Sequence, residues 1–153
     1  MIKAPSKLID IGHILRLDRV TQDILYDGTL HTYIATSSVT GLTSNPTIFD
    51  HAFKSGDAYD SAIRRESAAG KSGEPLFFEL AIEDLRRAAD LFRPAHHGTH
   101  GVDGWVSLEV SPLLANDTAG TIRAAAELHR LSNRPNLFIK IPGTAEGAAA
   151  IEE

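Results

Sequence analysis

The sequence predicts an α/β fold with a parallel sheet and a barrel-type site. Two observations carry this. Short apolar runs alternate with helical stretches along the 153 residues, and strand–helix–strand order calls for crossover helices over parallel strands. Four of those runs also carry one polar side chain near the C-terminal end of the less apolar face. They are Asp18, Asn45, Glu109 and Lys140, at the end of the strands where β/α barrels hold their sites.

Each element has a local reason. Ile14–Asp18 alternates and reads as strand one, with Arg16 and Asp18 sharing a face. Thr21 stands where it would cap a helix through Tyr26, and Asp27-Gly28 breaks that helix. A second short helix spans Thr29–Thr36. Val39–Ser44 reads as strand two, with Gly41, Thr43 and Asn45 on one face. Asn45-Pro46 ends it, and Pro46 suits a first helical position. Asp57–Ala69 is expected to be helical, with a loop over 70–73. Glu74–Phe92 is the clearest helix, since Phe77, Leu80, Ala81, Leu85, Ala88 and Phe92 recur at three- and four-residue steps. Glu83 and Arg87 are spaced to pair across one turn. Pro94–Gly104, rich in glycine and histidine, reads as a loop. Trp105–Val110 is strand three, with Ser107 and Glu109 on one face. Ser111-Pro112 leaves it, Asp117 opens a helix over Thr118–Leu131, and Leu137–Ile141 is strand four. Thr144 caps a last helix.

Composition narrows the classes. The chain is 42% hydrophobic and 23% charged, which argues for a globular fold over disorder. A formal net charge of −5 and no basic patch argue against nucleic-acid binding and a polybasic membrane anchor. No cysteine is present, so disulfides and thiolate chemistry are excluded, in keeping with a cytoplasmic location. Met1–Leu17 lacks the apolar core of a secretory signal. No run approaches the roughly 20 apolar residues of a membrane helix. Residues 1–153 read as a single domain.

The four polar residues suggest a chemistry. Burial favours the neutral amine of a lysine, and a neutral amine attacks carbonyls. The resulting iminium is an electron sink for carbon–carbon cleavage. Losing water as the imine forms requires a carboxylate to move protons. A second carboxylate can take a hydroxyl proton, and an asparagine can hold substrate hydroxyls. Two plainer readings stand beside this one. A strand-end lysine snorkels to water, and Lys140 with Glu109 and Arg16 with Asp18 are also spaced for ion pairs.

Three longer motifs bear on the choice: Val39-Thr40-Gly41-Leu42-Thr43-Ser44-Asn45-Pro46-Thr47-Ile48-Phe49, Val106-Ser107-Leu108-Glu109-Val110-Ser111-Pro112, and Leu137-Phe138-Ile139-Lys140-Ile141-Pro142-Gly143-Thr144. In this order they closely resemble the transaldolases, from about Lys7 onward. The resemblance implies a (β/α)8 TIM barrel and a cytoplasmic enzyme of the pentose phosphate pathway. It implies transfer of a dihydroxyacetone unit from sedoheptulose 7-phosphate to glyceraldehyde 3-phosphate, without metal or organic cofactor. Lys140 then matches the Schiff-base lysine and Glu109 the glutamate acting through a catalytic water. Asp18 matches the strand-one acid–base, and Asn45 the residue that binds the dihydroxyacetone unit. Thr43 and Ser107, on the same faces, are further substrate-binding candidates, although Ser107 is also small enough to be lumen filling.

Two departures qualify the resemblance. Strand one reads Leu15-Arg16-Leu17-Asp18-Arg19 where Leu-Trp-Leu-Asp-Asn is expected. Arg16 would disfavour protonation of Asp18 and Lys140, pair with Asp18, or snorkel from the barrel bottom. A barrel of this type also takes about 250 residues, and the chain supplies about four strand–helix units. It reads as a truncated first half, expected to be weak or inactive alone, or else a non-catalytic interaction module. Open edges at strands one and four would favour self-association. The arginines that hold substrate phosphate in the family have no counterpart here. His96, His97 and His100 read as a solvated loop rather than a metal site, and Thr47 and Gly143-Thr144 as helix starts able to face an anion.

Overall fold

The computed structural model describes residues 14–18 and 20–153. Arg19 and the stretch 1–13, on which the secretory-signal reading largely falls, lie outside the described residues. Four parallel strands form one sheet in the order β1-β2-β3-β4: β1 Arg16–Leu17, β2 Gly41–Leu42, β3 Val106–Glu109 and β4 Leu137–Lys140. The helices are α1 Gln22–Tyr26, α2 Thr29–Thr36, α3 Pro46–Lys54, α4 Asp60–Ala68, α5 Gly73–Gly98, α6 Thr118–Ser132 and α7 Ala145–Ile151. A 3₁₀ turn at Pro112–Leu114 follows β3. This is the arrangement of a partial β/α barrel, as the alternation of elements predicts.

One sheet face is covered by helices. Leu42, Val106, Leu108, Val110 and Leu137 are buried there with Leu85, Ala88, Ala89 and Phe92 of α5. Each buried Leu, Val or Phe side chain among these contributes about 1.5–3 kcal/mol relative to exposure, so this layer fixes the sheet. The other face carries Arg16, Gly41, Thr43, Trp105, Ser107, Glu109, Phe138 and Lys140 by alternation. Gly41 is required on it: an added Cβ would stand 2.8 Å from the Trp105 carbonyl oxygen and 3.3 Å from Arg16 Cγ.

The strands are shorter than their apolar runs suggest. β2 keeps the ladder at Arg16↔Gly41 and Leu17↔Leu42 on one side and only Leu42↔Val106 on the other. Its chain then turns into α3, where Asn45 caps the helix by accepting from the Ile48 amide at 2.9 Å. β3 and β4 pair along four residues, from Val106↔Leu137 to Glu109↔Lys140. The helix expected from Asp57 begins at Asp60. Thr21 sits at its cap position without a side-chain capping bond. Asp117 and Thr144 do cap, accepting from the Gly120 and Gly147 amides at 2.8 and 3.0 Å.

Two expectations fail around α5. The helix does not stop before Pro94 but runs through it to Gly98. Pro94 lacks the N–H that would reach back one turn. Packing outweighs that loss, because the His96 ring stands edge-on to Trp105 at 4.8 Å. Gly104, at φ 79°, brings the loop so close to His96 that a Cβ there would collide with the helix backbone. His96 is therefore a packed helix residue and not part of a solvated loop. Glu83 and Arg87 do not pair. Glu83 meets Arg65 at 3.2 Å, while the Arg87 guanidinium lies 4.0 Å from the Tyr26 ring centroid and donates to the Leu25 carbonyl at 2.9 Å.

Candidate active site

The parallel register assembles the site. Because β3 and β4 align Glu109 with Lys140, and Leu42 aligns with Val106, extending the rows places Asn45, Glu109 and Lys140 together at the strand ends. Lys140 Nζ is 3.6 Å from Glu109 Oε2 and donates to the Ser44 carbonyl at 3.1 Å. Its chain thus crosses over β3 to the end of β2. Both partners are partly open to solvent, with side-chain exposures of 37% and 28%, so the ion pair itself adds little stability.

Asn45 Oδ1 is engaged by its capping bond, so its amide group is the part left to meet a ligand. A cleft of about 300 Å³ opens beside it, lined by Asn45, Thr47, Glu109, Pro112, Ala115 and Pro142. The Thr47 side of this cleft is the start of α3. Gly143 is exposed at the turn before α7, where the Thr144 hydroxyl is used for capping and for donation to the Ala115 carbonyl at 2.5 Å.

Thr43 and Ser107 lie one pleat lower. Ser107 is fully buried, and its hydroxyl donates to Thr43 Oγ1 at 3.1 Å. This bond is part of the packing between β2 and β3, and it occupies the Ser107 proton.

Asp18 is not in the row of the other three. The β1–β2 register sets Arg16 beside Gly41, and the Thr43 amide donates to the Leu17 carbonyl at 2.9 Å. Asp18 therefore falls beside Thr43, one pleat below Asn45. It is exposed and lines a separate hollow of about 250 Å³ with Thr21, Ile48, His51 and Ser55. Among the described residues it makes no ion pair with Arg16. The Arg16 guanidinium instead rests 5.4 Å from the Phe138 ring centroid, and Phe138 stacks in turn on Trp105 at 5.4 Å. An aromatic face offers a cation a partner on the same side of the sheet, and Arg16 takes it while staying exposed.

One participant escaped sequence reasoning. Ser44 points away from the lysine face, and its role arises from its main-chain carbonyl, which no residue pattern advertises.

A profile of the transaldolase/fructose-6-phosphate aldolase family matches residues 15–153. The chain belongs to that family. Among curated relatives, a transaldolase of Arthrobacter sp. (strain FB24) is 44% identical over 151 residues, 99% of this chain and 41% of that protein. A transaldolase of Thermobifida fusca is 47% identical over 146 residues, covering 95% of this chain and 40% of the relative. One from Thiobacillus denitrificans is 43% identical over 142 residues, covering 93% and 40%. The chain thus spans about two fifths of the length of these relatives. The match runs through every described strand, so membership brings with it the barrel fold of which the four strands form part. Among the described residues, no helix is long and apolar enough to cross a membrane.

Proposed function

We propose that this chain carries the Schiff-base half of a cytoplasmic transaldolase site of the pentose phosphate pathway. Lys140 is the nucleophile, and Glu109, Asp18 and Asn45 assist. The observation that carries the proposal is the Lys140–Glu109 pair at 3.6 Å at the strand ends of a family member. The Lys140 amine adds to the ketose carbonyl, Glu109 supplies the proton that lets water depart, directly or through a water molecule, and an iminium forms. The carbon–carbon bond beyond it breaks as a carboxylate, assigned to Asp18, takes the substrate hydroxyl proton. The electron pair passes into the iminium to give an enamine, and the aldehyde fragment leaves. The enamine then adds to the acceptor aldehyde as the carboxylate returns its proton to the new alkoxide, and water hydrolyses the resulting iminium to release the ketose and the free Lys140 amine. Asn45 and Thr43 border the dihydroxyacetone unit, and Ser107 backs Thr43 through its hydroxyl. Sedoheptulose 7-phosphate as donor and glyceraldehyde 3-phosphate as acceptor follow from the family.

The test is to incubate the protein with fructose 6-phosphate and borohydride and to locate any adduct by peptide mass spectrometry. A stable adduct on Lys140, lost in Lys140→Met, is expected. A folded sample without adduct overturns the proposal.

A second reading takes residues 1–153 as one partial-barrel domain that acts by pairing with another sheet. It is favoured by β1 and β4, each with a neighbour on one side only among the described residues. Size-exclusion chromatography separates the readings, since a compact monomer at all concentrations excludes the second.

A further inference from the structure

We infer that Ser44 is a positioning residue for Lys140: its hydroxyl fastens the end of β2 to β3, and the carbonyl so fixed receives the lysine amine. The ladder between β2 and β3 contains Leu42↔Val106 and the Leu42 amide on the Trp105 carbonyl at 3.0 Å. Two residues on, the same ladder would bring the Ser44 amide to the Ser107 carbonyl. The Ser44 hydroxyl takes that acceptor instead, at 2.7 Å. Ser44 is 1% exposed and Ser107 0%, so the bond lies out of water, where a lost donor leaves a buried carbonyl unsatisfied.

This substitution of hydroxyl for amide has a consequence for the lysine face. The backbone of Ser44 is free to leave the ladder, and its carbonyl faces Lys140 at 3.1 Å. The Glu109 carboxylate, at 3.6 Å, sits on a flexible side chain and attracts the amine without fixing its place. A main-chain carbonyl anchored by a buried bond does fix it, and position within a fraction of an ångström governs attack on a carbonyl. Asn45 follows directly and begins α3, so one anchor sets both the amine and the amide. The importance of this placement rests on the Schiff-base reading; the placement itself does not.

The test therefore uses a reagent that is not a substrate. The whole chain is given limiting formaldehyde and cyanoborohydride, and methylation is read lysine by lysine by peptide mass spectrometry. Lys54 and Lys71, both in surface ion pairs, serve as references. In Ser44→Ala, Lys140 labelling is expected to change about three- to fivefold against the references, the scale of one hydrogen bond. Ser44→Thr restores the native ratio, and Ser44→Cys, of similar volume but a weak donor, falls between. A native ratio in folded Ser44→Ala overturns the inference. If that variant loses its circular dichroism, the Ser44→Cys ratio decides, and a native value there also overturns it. Trapping wild-type Lys140 with dihydroxyacetone and borohydride tests the Schiff-base reading on its own. Its failure alongside a Ser44-dependent methylation ratio sinks that reading and leaves the positioning role standing.

Discussion

Among individual residues, a strongly perturbed pair lies outside the lysine face. Asp84 is 1% exposed and accepts from the Tyr59 hydroxyl at 2.6 Å. Burial pushes its carboxyl up to about 6 from 3.8, and Glu83 adds to this, while the Tyr59 bond and Arg87 oppose it. Burial and the Asp84 charge likewise raise the Tyr59 hydroxyl. A raised carboxyl means that the unfolded chain releases its proton first. Asp84's contribution is therefore fully present below 3.8 and is lost as pH rises through about 6. The difference amounts to roughly 3 kcal/mol at neutral pH. Asp84→Asn still accepts from Tyr59 but cannot ionise. Urea unfolding is expected to show it more stable than wild type at pH 7.5 and to flatten the dependence between pH 4 and 6. A stability difference between wild type and Asp84→Asn that stays constant over that interval would refute the assignment. Sequence pattern gave no hint of this group, because Asp84 occupies a core-facing position of α5 as an exception to its periodicity. Glu109 and Lys140 were legible, since strand alternation is enough to put two polar side chains on one face. For Glu109→Gln, which cannot shuttle protons, the Lys140 ketose adduct is expected to form about 10²-fold more slowly, with folding retained, as followed by time-resolved borohydride trapping.

At the scale of elements, the helices were easier to read than the strand ends. Apolar spacing at three- and four-residue steps marked α5 because it buries one continuous stripe. The extension of α5 past Pro94 was hidden because the compensating contacts come from Trp105 and Gly104, distant in sequence. The offset of Asp18 was hidden for a related reason, as alternation fixes faces but leaves register between strands undetermined. Register is instead held by buried polar contacts, and Asn136 provides the clearest. It is fully buried at the foot of β4. Its amide donates to the Ala89 carbonyl at 2.7 Å and to the Gly104 carbonyl at 2.9 Å, tying β4 to α5 and to the entry of β3. Asn136→Ala removes the side-chain donor to both carbonyls and empties a buried position, and is expected to destabilise the chain by about 2–4 kcal/mol. Equilibrium denaturation measures this, and a loss below about 1 kcal/mol would show that water replaces the amide.

At the scale of the whole molecule, the sheet presents two outer edges among the described residues. The Val106 amide donates to the Asn136 carbonyl at 2.9 Å and the Val110 amide to the Lys140 carbonyl at 3.0 Å. Even-numbered residues of β4 therefore spend their backbone groups on β3, and Ile139 directs its amide and carbonyl to the outer edge. An edge of this kind is a template for another strand. The lysine face beside it, with Arg16, Phe138 and Trp105, offers a partner sheet both charge and aromatic surface. The 153-residue chain is accordingly expected to self-associate with rising concentration, observed as a growing weight-average mass in sedimentation. Ile139→Pro removes the outward N–H while leaving every β3–β4 bond in place, and proline is tolerated on an edge strand. It should shift the association to about tenfold higher concentration, the effect of losing about one backbone hydrogen bond at the interface. A control at Leu113, which is 85% exposed and lies in the 3₁₀ turn outside both edge strands, should leave the association unchanged when replaced by serine. If Leu113→Ser disperses the oligomer and Ile139→Pro does not, the contact is a surface apolar one and the sheet edge is not its cause.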